Sequence, residues 1–172
     1  MTDAAPIDSG DAFADLMAAN ERYAASYRPR QLEGRAAKGV AVLTCMDSRI
    51  EPLAMLGLHV GDAKILRNAG ARVTEDVLRT LVLATYLLGV DRVMVVAHTR
   101  CRMAGGDEDS VHAAVEAVGG PDTRSLSFLT TTDQEATLAA DVQKIRSWPY
   151  LRSLSVGGFI YDVATGGLRR VC

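Results

Sequence analysis

No stretch of this 172-residue chain is apolar for long enough to cross a bilayer. The longest apolar run, Leu81 to Val90, is broken by Thr85, Tyr86 and Gly89, and a spanning helix needs about 20 apolar residues. A basic excess is also missing: 19 Lys and Arg stand against 21 Asp and Glu, a formal net charge of -2. With no dense basic stripe, nucleic acid is not expected as the main partner. The opening MTDAAPIDSGDAF is acidic and lacks the basic segment and apolar core of a secretory signal. Cysteine is scarce, with three in the chain, too few for a disulfide scaffold. None are spaced C-x-x-C, so a dithiol redox pair is excluded, and Cys45 to Arg49 holds no glycine for a phosphatase-type anion loop. Free thiols suit a reducing compartment, so a cytoplasmic location is expected. No internal repeat or low-complexity tract appears.

What is present is an ordinary globular composition, 48% hydrophobic and 23% charged, on a length that predicts one domain over 1–172. Residues 1–10 are small and polar and predict a flexible start. Asp11 to Tyr27 has apolar Phe13, Leu16, Met17, Tyr23 and Tyr27 near helical spacing. That stripe is thin, so this helix either packs on its own domain or lies as an arm on a partner subunit. Arg28-Pro29-Arg30 should end it.

Further along, Val40 to Thr44 predicts a buried strand and Ile50 to Leu58 a short helix with Pro52 in its first turn. Ala63 to Leu66 predicts a second strand, followed by an Arg67–Gly70 loop. Thr74 can cap a helix over Asp76 to Leu88, apolar nearly all round and expected to be deeply buried, with Gly89 as its stop. Arg92 to Ala97 reads as a third strand. Arg102 to Ser110 reads as a loop whose acidic cluster (Asp107, Glu108, Asp109) is solvated, and Val111 to Val118 as a short helix. Thr132 and Glu135 have capping-box spacing and open a helix to about Ser147. Gly158 to Val163 and Leu168 to Val171 predict a hairpin. Strands alternating with helices indicate an α/β domain with a mostly parallel sheet, in which ligands bind at carboxyl ends of strands where the winding reverses.

Two of those ends carry metal-ligand types. Cys45, followed by Asp47 and Arg49, closes the first strand; His98 and Cys101, an H-x-x-C pair, close the third. Two thiolates and an imidazole are the set of a three-ligand zinc site that leaves a fourth position to water, the catalytic arrangement. Two thiolates neutralise Zn2+ and weaken its pull on water, so nearby cations should assist. Arg49, Arg67, Arg100 and Arg102 are the candidates. Asp47 could orient the water or swing in as a fourth ligand, with Arg49 as the clamp that decides. His59 and His112 read as surface or packing residues, although His59 could shuttle protons. Cys172 reads as incidental.

C-x-D-S-R (Cys45, Asp47, Ser48, Arg49), R-N-A-G (Arg67 to Gly70) and H-T-x-C (His98 to Cys101), in that order, resemble the motifs of β-class carbonic anhydrases of the short-chain subgroup. The closing GFIYDVATGGL resembles the C-terminal hairpin of that subgroup. The resemblance implies zinc held by Cys45, His98 and Cys101, and reversible hydration of carbon dioxide to bicarbonate through zinc-bound hydroxide. It also implies an Asp47–Arg49 gate, with Arg67, Gly70 and Arg102 as candidate substrate or anion contacts. The implied sheet has order 2-1-3-4 plus an antiparallel C-terminal edge strand, flanked by helices. The implied assembly is a homodimer or larger homo-oligomer, with residues 11–27 as an arm on the partner.

The family's usual H-T-D-C-G reads His98-Thr99-Arg100-Cys101-Arg102 here. Glycine after the second cysteine suggests a positive φ at position 102, and the exchange places two cations at the rim, which we expect to favour bound anions. Two other readings remain open: hydrolysis of carbonyl sulfide or carbon disulfide on the same zinc, and a zinc-binding homologue without catalysis.

Overall fold

A computed structural model describes residues 12–28 and 31–172. The flexible start expected over 1–10, the first residue of the expected 11–27 helix and the Pro29-Arg30 stop lie outside the described residues. The chain divides into two units, Met1–Leu32 and Glu33–Cys172.

The first unit carries helix α1 (Ala14–Ser26), on which no residue is buried. Phe13, Leu16, Met17, Tyr23 and Tyr27 are each half or more exposed. Tyr23 and Tyr27, one turn apart, bring their rings to 5.5 Å between centroids.

The second unit is built on a five-stranded sheet of β1 (Val40–Cys45), β2 (Ala63–Asn68), β3 (Arg92–His98), β4 (Ser155–Tyr161) and β5 (Leu168–Arg170). Its order is β2-β1-β3-β4-β5. All pairs are parallel except the antiparallel β4–β5 edge, which is the expected sheet. From β1 the chain first winds outward to β2, then returns to add β3 on the other side. The winding therefore reverses at β1, and both β1 and β3 end at that switch point.

The sheet is a half-covered layer. On one face Leu43, Val95, Leu78 and Leu81, all fully buried, pack with Val142 and Ile145 from helices α2 (Glu75–Leu87) and α4 (Gln134–Arg146). All six residues of β1 are buried, as its unbroken apolar run VAVLTC requires of a central parallel strand. On the other face Val40, Val42 and Val96 are covered more lightly, by partly buried Met55, Leu56, Leu58, Met94 and Phe159. A groove of about 400 Å³ runs there, with Leu56, Met94 and Phe159 among its walls.

Several local expectations are corrected. Ile50 to Leu58 forms no α-helix beyond a 3-10 turn at Ala54–Leu56. Pro52 has no N–H to give, and Gly57 at φ 63 closes the turn by donating to the Ala54 carbonyl. Helix α2 is capped by Thr74 as expected, but it is not buried all round. Leu83, Tyr86 and Leu87 are 47–62% exposed, while Val77, Leu78, Leu81, Ala84 and Thr85 form the buried stripe. Arg67 and Asn68 belong to β2 rather than to a loop.

The acidic cluster is not a solvated loop: it starts helix α3 (Glu108–Ala117). Asp107 caps it by accepting from Ser110 N at 2.9 Å. The Glu108 carboxylate accepts from Phe128 N at 2.7 Å and Thr130 N at 2.9 Å, so it holds a distant loop. The cap of α4 is Asp133, which accepts from Ala136 N at 3.0 Å, and not Thr132. His112 is a packing residue, buried, bonded to the Thr123 hydroxyl at 2.9 Å and set against the Phe128 ring. His59 is exposed. Cys172 packs against the main core beside Gly158.

Candidate metal centre

Cys45 is the last residue of β1 and His98 the last of β3, and Cys101 follows one tight turn later. Their ligand atoms lie within 4.8 Å of one another and all three residues are buried, close to the span that one ion with bonds of about 2.0–2.3 Å bridges. His98 is 1% exposed. Its Nδ1 lies 2.9 Å from the Thr99 carbonyl oxygen, which can only accept. In the neutral ring the proton therefore sits on Nδ1, and the Nε2 lone pair faces the sulfurs. Among the described residues, that Nε2 is the one buried side-chain polar atom without a hydrogen bond. A buried acceptor left unpaired costs about 1–3 kcal/mol, and a cation between it and two sulfurs removes that cost. The donor set fits zinc.

The sulfurs are prepared for anionic charge. Cys45 Sγ accepts from Gly70 N at 3.4 Å. Its thiol is lowered to about 3, chiefly by the hydrogen bond from Cys101, with His98 and the Gly70 and Asp47 amides adding to it against burial. Cys101 is pushed up by sharing its proton with Cys45 and by burial. The pair thus gives up one proton readily and holds the other until a cation displaces it. Burial opposes charge on His98, but attraction to the Cys45 sulfur outweighs it and raises the ring.

Asp47 and Arg49 form a closed clasp. Asp47 Oδ1 accepts from Arg49 N and Nε, each at 2.9 Å, and Oδ2 accepts from Nη2 at 2.7 Å. Arg49 holds the carboxyl far below the usual range, by hydrogen bonds first and charge second. The same Oδ2 lies 3.9 Å from His98 Nε2, so the carboxylate borders the donor cluster while its other side is held. Arg49 Nη2 also reaches the Arg100 carbonyl at 3.2 Å, which ties the two strand ends together.

The remaining predicted residues have distinct places. Arg67 donates through Nε to the Cys45 carbonyl at 3.0 Å and through Nη2 to the Asp47 carbonyl at 2.6 Å, fixing the backbone that carries both side chains. Gly70 sits at φ 77, where a Cβ would stand 3.0 Å from Met103 Cβ; glycine is needed there for backbone and for space. Arg102 is exposed and opens a short 3-10 turn, Arg102–Ala104.

The expected positive φ at position 102 falls instead at Arg100, with φ 56. A non-glycine residue in that region costs about 1–2 kcal/mol, and aspartate tolerates it better than arginine does. Sequence reasoning missed Gln134, whose Nε2 donates to the His98 carbonyl at 3.1 Å. It also missed Asp162, which accepts from the Thr99 hydroxyl at 3.1 Å. The Asp162–Gly166 run D-V-A-T-G is an Asx-turn signal, but a turn signal does not say what the spare carboxylate lone pair will bind.

A mostly parallel α/β sheet with a thiolate–imidazole donor cluster at its switch point defines a zinc-type metalloprotein. Residues 40–118 match the carbonic anhydrase family model. The chain is 32% identical over 160 residues to beta-carbonic anhydrase 1 of Mycobacterium tuberculosis, covering 91% of this chain and 96% of that protein. The crystal structure of carbonic anhydrase from Streptococcus mutans superposes with a TM-score of 0.86 at 34% identity, covering 96% of this chain and all of that one. A carbon disulfide hydrolase of Acidithiobacillus thiooxidans is 28% identical over 148 residues, 74% of each chain. The chain belongs to the β-class carbonic anhydrase family.

Proposed function

We propose that this protein catalyses the zinc-dependent reversible hydration of carbon dioxide to bicarbonate and a proton, with Cys45, His98 and Cys101 as the metal ligands. The observation that carries this reading is the unpaired, buried His98 Nε2 facing two buried sulfurs at the reversal of the sheet. Zinc, when bound, supplies the Lewis acid that brings the pKa of water toward ~7.

The protein's own groups do the rest. Asp47 accepts a hydrogen bond from the attacking water and aims its lone pair at the carbon of carbon dioxide. Arg49 keeps that carboxylate ionised and turned, so it serves as acceptor and not as acid. The Gly70 amide and Arg67 stand beside Cys45 and balance negative charge as bicarbonate forms, and the exposed Arg100 and Arg102 draw anions to the rim. Stopped-flow hydration of carbon dioxide by metal-quantified protein tests the reading. Turnover at buffer background in fully zinc-loaded protein would overturn it. Exchanging Arg100 to Asp together with Arg102 to Gly tests the rim: anion inhibition should weaken.

The carbon disulfide hydrolase relative keeps a sulfur-analogue substrate in view, but its likeness is lower and shorter than that of the mycobacterial carbonic anhydrase. Steady-state rates on both substrates separate the two.

The assembly we propose is a homodimer or larger, with the helix within 11–27 as an arm on the partner and residues 1–172 serving one catalytic domain. The exposed apolar residues of α1, the exposed Leu83, Tyr86 and Leu87 of α2 and the open sheet groove support this. Light scattering would show it. The location we propose is cytoplasmic, supported by three free cysteines. Among the described residues no helix is long and apolar enough to cross a membrane.

A further inference from the structure

The loop between His98 and Cys101 is fastened to a part of the chain more than 60 residues away. Thr99 N donates to the Tyr161 carbonyl at 2.9 Å. Its hydroxyl donates to Asp162 Oδ1 at 3.1 Å and accepts from Val163 N at 3.2 Å, so both of its hydrogen-bonding capacities are directed at the turn between β4 and β5. The Thr99 carbonyl is the group that receives the His98 Nδ1 proton. Arg100, next in the chain, sits at φ 56, and this unusual backbone helps set the plane of the Thr99–Arg100 peptide.

We infer that Asp162 and Thr99 are positioning residues for the metal centre: through the Thr99 carbonyl, the β4–β5 turn fixes the tautomer and ring angle of His98. The proposal rests on the reading of His98 as a zinc ligand.

The turn does not need this contact for its own shape. Asp162 N donates to the Gly167 carbonyl and Gly166 N to the Asp162 carbonyl, each at 2.8 Å. Asp162 Oδ1 also accepts from Ala164 N at 2.9 Å, and Oδ2 from the Thr165 hydroxyl at 3.1 Å. A carboxylate with two fixed local donors is a rigid acceptor, and Oδ1, already held by Ala164 N, accepts from Thr99 as well. Outer groups that orient a metal-bound histidine in this way typically change metal affinity 10–100-fold when removed. The turn lies at the edge of the sheet and contributes none of the three donor residues.

The test compares Thr99→Val, Thr99→Ser and Asp162→Asn with His98→Ala by zinc competition against a chromophoric chelator. The cobalt-substituted absorption spectrum and nitrogen chemical shifts of the His98 ring in zinc-free protein accompany it. Thr99→Val and Asp162→Asn should each bind zinc about 10–100-fold more weakly and shift the cobalt bands, and the imidazole should sample both tautomers. Thr99→Ser should keep wild-type values. If Thr99→Val matches wild type in affinity, spectrum and tautomer while His98→Ala loses zinc, the positioning role is wrong and the metal site stands. If His98→Ala also keeps wild-type affinity, the ligand assignment itself fails. Should Asp162→Asn not fold, the Thr99 pair decides alone.

Discussion

The two strand ends that build the metal centre are held in opposite ways. At the end of β1, the Cys45–Arg49 segment is fixed from next door: Arg67 on the neighbouring strand grips two backbone carbonyls, and Arg49 folds back on Asp47 two residues away. At the end of β3, the His98–Cys101 turn is fixed from afar, by Asp162 on one side and Gln134 on the other. The first end is wired by charged forks whose partners lie close in the fold and largely in one motif. Besides the Arg49 contact to the Arg100 carbonyl, the second is wired by a hydroxyl, an amide and a carboxylate, whose partners come together only when β4 and α4 dock. A site assembled this way is divided between a nearly self-contained half and a half that depends on the finished domain.

Removing one of the three donor residues from either end should erase the difference between them. Cys45→Ala and Cys101→Ala should each lower zinc retention to background after dialysis against a chelator, measured by elemental analysis. Zinc uptake should release at least one proton near neutral pH, since Cys101 is raised and so protonated in the free pair. A pH indicator reads this directly, and release of none would mean that both sulfurs are already ionised.

Asp47→Asn comes next. It should lower kcat by about 10²–10⁴-fold with zinc content unchanged, because the carboxylate borders the donors without being needed to hold them. Loss of zinc in that variant would make Asp47 a ligand instead.

Gly70→Ala forces a Cβ against Met103 and a side chain into left-handed backbone. It should cost about 1–3 kcal/mol of stability, seen in chemical unfolding, and should weaken zinc binding by displacing the amide from Cys45.

Smaller effects separate the two arginines of the second end. Arg100→Gly relieves about 1–2 kcal/mol of backbone strain but gives back about 0.5–1 kcal/mol of chain entropy, so its melting temperature should barely change or rise slightly. Arg102→Gly relieves nothing and should fall. The reverse order would show that the strain has been assigned to the wrong residue.

Part of the pH dependence of stability should come from a group away from both ends. Glu108 is lowered by the Phe128 and Thr130 amides. A carboxyl lowered in the folded state stabilises above its unfolded value, about 4.3, and that stabilisation is lost as pH falls through the folded value. Glu108→Gln should therefore flatten the acid limb of a melting-temperature profile below about pH 5. An unchanged limb would show that the Phe128–Thr130 loop contributes nothing to it.

The sequence alone determined the strands and the three donor residues, while the strand order in the sheet came from the family resemblance. Short β-branched runs ending on Cys and His are local, and the alternation of strand and helix leaves few topologies. It also determined the Asp47–Arg49 pairing, because two residues apart at a strand end is close enough to meet. Helix starts were misread although their caps are local, Asp107 accepting from Ser110 N and Asp133 from Ala136 N, because a run of Asp, Glu and Thr reads equally well as a solvated loop.

Only the tertiary structure decided which face of α2 is buried, since apolar composition does not say what will cover a helix. It alone showed that the strained residue is Arg100 and not Arg102, because φ follows from how the turn must meet Arg49 and Thr99. It alone brought Asp162 and Gln134 to the second end. Those contacts span 63 and 36 residues of sequence, and no local pattern encodes a partner that distant.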